Sequence, residues 1–354
     1  MTGAERLLAA CRSEAVDASP VWFMRQSGGS LPAYQALRER HEVLEIAHTP
    51  ALAAEVVLEA QRALGTDGAV LFADIMLPAE ALGVELELTR AGPHIPRPIR
   101  SLADVDGLRG VDVEADLGFV LDAVRLVRNG LGDAAAVIGI AGGPFTVAAY
   151  CIEGGPSRDL LRARRFAIAE PLAWTRLMDR ITAVTVAYVT AQVRAGAQIV
   201  QLFDSWAGVL SPMDYAAWAA PWSRQVLAAI RAAGAPAIHF VAAGANLLER
   251  LADDSDVVSL DAAQPFELAR RRLGATAVQG NLDPARLTAD ATVVREAVEG
   301  LLAANAGRPG HIVNTGHAVP ADTPTQRLAD IVSLVHDLSA TPGVGLATAA
   351  GGPP

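Results

Sequence analysis

The sequence predicts a single-domain α/β protein of the (β/α)8 (TIM) barrel class, on three observations. Short apolar runs alternate with long helical patterns through the whole chain, the signature of parallel β/α units. The runs are continuously apolar rather than alternating, as strands covered on both faces are. No Pro/Gly/Ser-rich linker divides the 354 residues. An open doubly wound sheet is the competing arrangement, but seven or eight units in one uninterrupted chain favour the barrel.

Taken in order, the strand candidates are 69–73, 136–141, 198–203, 237–241, 256–260, 276–279 and 311–314. Helical patterns cover 50–64, 171–195, 214–233, 290–305 and 325–338. The longest carries Leu172, Leu177, Ile181, Val184, Tyr188 and Val189 at helical spacings. Residues 1–340 therefore read as one barrel, and the Ala/Gly/Pro-rich stretch 341–354 as a disordered tail.

Composition narrows the function. The chain is 51% hydrophobic and 19% charged, which is too apolar for intrinsic disorder, and its net charge of −10 argues against a nucleic-acid binder. There is no lysine; all 29 basic residues are arginine. That excludes Schiff-base lysines, a pyridoxal-phosphate anchor and a P-loop lysine, and leaves arginine to hold any anion. Two cysteines, Cys11 and Cys151, fit a reducing compartment, and no zinc-ligand spacing occurs. The segment 1–15 carries acidic residues and is no signal peptide. No apolar run reaches the roughly 18 residues of a membrane span. The expectation is a soluble cytoplasmic protein with no metal, membrane or nucleic-acid partner.

In a barrel, the groups that do chemistry sit just past the carboxyl ends of the strands. There this sequence puts Asp74, Gly142-Gly143-Pro144-Phe145-Thr146 with Tyr150 beyond, Asp204-Ser205, Asp261, Asn281 with Asp283, and His317; His239 lies within a strand. Each has a plainer reading. Asp74, Asp204 and Ser205 suit helix caps, Tyr150 suits the core, His239 a hydrogen-bonded core histidine, and Asn281-Leu282-Asp283-Pro284 a turn and helix start. Their shared rim carries the functional reading. A serine hydrolase lacks its Gly-x-Ser-x-Gly elbow, and the glycines of 139–143 lack dinucleotide spacing.

The segment PVWFMRQSGGSLPAY at 20–34 closely resembles the signature PVWxMRQAGRxLPEY of the uroporphyrinogen decarboxylase family. LFADIMLPAEALGVELE, GIAGGPFTVAAYCIEGGPS, AGAQIVQLFDSWAGVLSPMDY, VQGNLDPARL and HIVNTGHAVPADTP are similar to further family motifs, in order, across roughly residues 5–338. The resemblance implies a cofactor-free (β/α)8 homodimer that converts the four acetate side chains of the tetrapyrrole uroporphyrinogen to methyls, giving coproporphyrinogen. Carried over by position, Asp74 matches the aspartate that accepts the pyrrole N–H groups and steadies a developing cation. Arg25 matches an arginine that binds a substrate carboxylate and assists protonation. Gln26, Ser27 and Gly28 match the substrate-binding loop; Tyr150, Ser205 and His317 match groups touching the macrocycle; Arg38 matches another basic residue near the cleft. Gly29 stands where the family has a second arginine of the substrate-binding loop. Ser30 replaces a frequent tyrosine, and Asp261-Ala262 lacks the usual tryptophan. Two alternatives follow from Gly29: a relative acting on another tetrapyrrole or smaller acid, or a tetrapyrrole binder without turnover. Cobalamin-dependent methyltransferases share the barrel but use a zinc thiolate site, for which this chain lacks the cysteines.

Overall fold

The computed structural model describes residues 1–89 and 92–340; the tail expected to be disordered, 341–354, lies outside the described residues. Its strands are β1 (Gly68–Val70), β2 (Glu87–Thr89), β3 (Gly92–His94), β4 (Ala136–Gly142), β5 (Ile199–Phe203), β6 (Ala237–Phe240), β7 (Val257–Ser259), β8 (Ala277–Gln279) and β9 (His311–Ile312). Seven form one parallel sheet in the order β1-β4-β5-β6-β7-β8-β9, each next to its successor, and every run expected from the sequence supplies one of them. The antiparallel hairpin β2–β3 is not among the expected strands; three residues are too few to show a period.

The eighth stave comes from the segment around Val21. Val21 bridges Val313 in parallel, and Val313 N–H donates to Pro20 O at 2.8 Å. On the other edge, Asp67 N–H donates to Val21 O at 2.8 Å. The chain's start therefore sits between β9 and β1 and closes the barrel, leaving no edge between these two strands to seek another partner.

Every second side chain points inward. Ile138, Ile199, Ile238, Val257, Ala277 and Ile312 fill the interior with Trp22, and the helix Gly3–Cys11 plugs the amino-terminal end with Leu7, Ala10 and Cys11. Toward the carboxyl ends the filling turns polar. Trp22 Nε1 donates to Gln279 Oε1, and Gln279 Nε2 donates to Gln201 Oε1 and Ser259 Oγ, all at 2.8 Å.

The helices Pro50–Leu64 and Pro171–Ala195 run over the expected residues, and Ala291–Asn305 and Thr325–Ser339 differ from expectation by one residue. The pattern 214–233 is instead two helices, Pro212–Trp218 and Ala220–Ala232. Pro221 explains the break: it has no N–H to continue the ladder, and its ring collides with the preceding turn.

Candidate active site

The candidate site is assembled from segments that follow the strand ends. The first is 23–31, which follows the closing stave. Arg25 adopts φ 63°, a left-handed conformation that costs a non-glycine residue about 1–3 kcal/mol and persists only where the surroundings enforce it. Gln26 does the enforcing. Its Oε1 accepts from Phe23 N at 2.9 Å, and its Nε2 donates to Gly68 O at 2.9 Å and Thr66 Oγ1 at 3.2 Å. The backbone on either side is tied to the loop after β9, with Met24 N donating to Asn314 Oδ1 and Val319 N to Met24 O, both at 2.9 Å. Arg25 itself is exposed. The amide of Gln26 is wholly buried in the wall, and Ser27 is buried beside it. A Cβ on Gly28 would stand 2.9 Å from Arg25 O, so the turn closes more tightly than a side chain allows.

Gly29 packs on the turn that follows β9: a Cβ there would lie 2.8 Å from Ala321 Cβ. Gln35 Nε2 donates to Gly29 O at 2.7 Å, and Thr325 Oγ1 donates to Ser30 O at 2.8 Å. Arg38, half-buried, donates to His41 O and, at 3.4 Å, to Glu42. Its charge also reaches Tyr34, as does that of Arg25.

Asp74 follows β1, half-buried, with Oδ1 accepting from Met76 N at 2.8 Å. Asp74 is not the helix cap expected of it: Met76 is the N-cap of the helix Leu77–Ala81, and the Asp74 carboxylate instead closes a local turn onto the Met76 amide. Burial raises its pKa above the ordinary carboxylate range; the Met76 N–H and the Arg25 charge pull it back down. Tyr150, on the helix Pro144–Glu153, stacks on Trp206 with ring centroids 3.8 Å apart. Burial raises its pKa to about 12, with Asp74 raising and Arg25 lowering it, so it is a hydroxyl at neutral pH. His317 follows β9 and is exposed, its ring 6.2 Å from Phe240. Partial desolvation lowers its pKa, Arg25 lowers it further, and Asp261 opposes both, which keeps the imidazole neutral at neutral pH. Gly316 brings it there: a Cβ at Gly316 would meet Ala262 N at 2.1 Å, so only glycine lets the two loops cross.

The charge on one side chain, Arg25, thus reaches Asp74, Tyr150 and His317, which come from three different strand ends. Ser205, half-buried after β5, adjoins them through its neighbour Trp206. Sequence reasoning misses Trp206, stacked on Tyr150, although an aromatic directly after Ser205 is a visible signal. Asp283 caps the short helix Pro284–Thr288 as expected. His239 is buried, but it departs from the hydrogen-bonded core reading: neither ring nitrogen has a hydrogen-bond partner among the described residues. No group of three or more metal-ligating side chains occurs among the described residues, and Cys11 and Cys151 are buried and unpaired.

Comparison with known proteins shows the family and the fold. The family model described as Uroporphyrinogen decarboxylase (URO-D) matches residues 2–338. A protein named uroporphyrinogen decarboxylase from Syntrophotalea carbinolica is 44% identical over 332 residues, covering 93% of this chain and 96% of its own length. One of the same name from a Roseiflexus species is 44% identical over 343 residues, covering 95% and 99%. Among solved structures, a methyltransferase from Methanosarcina mazei superposes with a TM-score of 0.81 at 18% identity, covering 96% of this chain and 99% of its own; it shares the fold.

Proposed function

The chain belongs to the uroporphyrinogen decarboxylase family, and we propose on that premise that it decarboxylates the four acetate side chains of uroporphyrinogen III, giving coproporphyrinogen III for porphyrin and heme synthesis, with no cofactor. The observation that carries the reading is the reach of Arg25 to Asp74, Tyr150 and His317 at one barrel mouth.

Losing carbon dioxide from an acetate leaves an electron pair that needs a sink, and the pyrrole itself supplies one. A proton adds to the ring carbon beside the one bearing the acetate, making an iminium-like cation. The C–CO2 bond breaks and its electron pair flows into that cation, leaving an exocyclic methylene. Protonation of the methylene and loss of the ring proton complete the methyl, so one proton is consumed per carbon dioxide. In this reading the Asp74 carboxylate accepts the pyrrole N–H groups and stabilises the cation, an electrostatic contribution fixed in place before the substrate arrives. Arg25 binds a substrate carboxylate and assists the proton transfer. Tyr150 and Ser205 offer hydroxyls, and neutral His317 offers a ring nitrogen, to the remaining carboxylates. Gln26 acts through Arg25, while Ser27, Gly28 and Gly29 line the loop with their backbone.

We place the working form in the cytoplasm as a homodimer. The support for a second copy is an exposed apolar strip, with Leu161 and Ile168 seven residues apart on one helix and Leu172 just beyond. Gly29 favours one second reading, a relative tuned to a tetrapyrrole that needs fewer carboxylates clamped. Anaerobic incubation with uroporphyrinogen III, followed by oxidation and chromatography, tests the main reading. Seven-, six-, five- and four-carboxyl products are expected; none appearing overturns it.

A further inference from the structure

Behind the wall formed by Tyr150, Trp206 and Ser205 lies a buried carboxylate that the mechanism does not use. Asp204 has no exposed surface. Its Oδ1 accepts from Thr146 Oγ1 at 2.8 Å and Thr146 N at 3.2 Å, and its Oδ2 accepts from Ser223 Oγ at 2.9 Å. His239 Nε2 stands 3.9 Å from the same Oδ2. Its backbone is fixed as well: Asp204 N donates to Phe240 O at 2.9 Å, and Asp204 O accepts from Ala207 N at 3.0 Å.

These bonds join three elements. Thr146 stands in the first turn of the helix that carries Tyr150, so Asp204 caps that helix from a different strand, satisfying an amide with no partner of its own. Thr146 Oγ1 also accepts from Trp206 N at 3.2 Å, tying the turn after β5 to the same point. Ser223 belongs to the outer helix Ala220–Ala232 and braces Asp204 from behind. The approach is so close that a Cβ on Gly143 would lie 2.3 Å from Asp204 Cγ. A buried carboxylate is costly unless its oxygens are paired, and here the pairs fasten the parts that hold the Tyr150–Trp206 stack.

We propose that Asp204 is a positioning residue: braced by Ser223, it locks the helix bearing Tyr150 to the turn bearing Ser205 and Trp206, and so sets the face against which the substrate macrocycle is held. This rests on the reaction proposed above for its kinetic readout, though not for its binding readout.

The test uses the full chain and the variants Asp204→Ala, Asp204→Asn and Ser223→Ala. Folding is followed by thermal melts. Steady-state kinetics use uroporphyrinogen III, and equilibrium titration uses uroporphyrin III, read by quenching of Trp206 emission against a Trp206→Phe blank. Deleting the partner of several buried hydrogen bonds is expected to lower kcat/KM by about a hundredfold in Asp204→Ala, chiefly through KM, with a parallel loss in uroporphyrin affinity. Asp204→Asn retains an acceptor for Thr146 and recovers to within about tenfold of the parent, by the same bookkeeping. Ser223→Ala, on an outer helix, raises KM about threefold. The pH profile of kcat/KM keeps its shape in all three. The inference is overturned if folded Asp204→Ala keeps the parent KM and affinity. It is overturned equally if Asp204→Asn loses kcat as Asp74→Asn does and a limb of the pH profile disappears. Should Asp204→Ala not fold, parental KM and affinity in both other variants overturn it. If the parent binds uroporphyrin but turns nothing over, the proposed reaction fails, and the titrations alone decide the role of Asp204.

Discussion

The two sides of the cleft are fastened in different ways. The loop 23–31 presents an exposed cation, Arg25, on a left-handed backbone bend that the buried amide of Gln26 and the loop after β9 hold in place. Its freedom lies in the side chain and its rigidity in the backbone. The side formed by Tyr150, Ser205 and Trp206 is the reverse: its Tyr150 and Trp206 rings are stacked, and the elements carrying them are pinned by one buried carboxylate. In the proposed reaction the long flexible guanidinium follows each acetate in turn as the macrocycle is repositioned, whereas the flat rings offer one constant surface. In that reaction Asp74, in the loop after β1, serves a charge that forms at the same place in every round.

Substitutions can break this contrast, the largest effect falling on the group common to both sides. Asp74→Asn keeps size and the acceptor for Met76 N but removes the charge; kcat is expected to fall by about a hundredfold or more, with KM little changed. Arg25→Ala removes a charge-assisted contact and should lower kcat/KM by about ten- to a hundredfold, appearing largely in KM. Gln26→Leu leaves Phe23 N without its acceptor and frees the bend; melting should show a loss of about 2–3 kcal/mol, and kcat/KM should drop even though Arg25 is intact. Gly29→Arg separates space from charge. The Cβ contact with Ala321 means that the single change must displace that turn, and its gain in affinity is offset; paired with Ala321→Gly it should lower KM by about tenfold. The smallest effect concerns pH. In the proposed reaction Asp74 works as a carboxylate, so kcat/KM is expected to fall as pH drops through its raised pKa. Because Arg25 lowers that pKa, Arg25→Ala should move the acid limb to higher pH.

The barrel is legible in the sequence because buried parallel strands and long amphipathic helices leave periodic apolar signals, and all seven runs are sheet strands. The eighth stave is not, because the start of the family signature closes the barrel through only a few backbone groups around Val21, too few to show a period. Asp74, Tyr150 and His317 are legible as strand-end polar residues, and Arg25 only through the family signature. That Gln26 spends its amide inside the wall, and that Asp204 caps a helix from another strand, depends on contacts 42 and 58 positions apart, which no local pattern encodes. Arg38 is a different case. Its partners His41 and Glu42 lie close by in the chain, but that its charge also reaches Tyr34 is decided by the fold around it.

The most direct test is a crystal structure with coproporphyrinogen III, grown anaerobically. The pyrrole nitrogens should converge on the Asp74 carboxylate, with a product carboxylate on Arg25 and a face of the macrocycle against Tyr150. A macrocycle seated away from Asp74, for instance in the surface cavity of about 340 Å³ lined by Arg100, Arg162 and Arg165, would contradict the account.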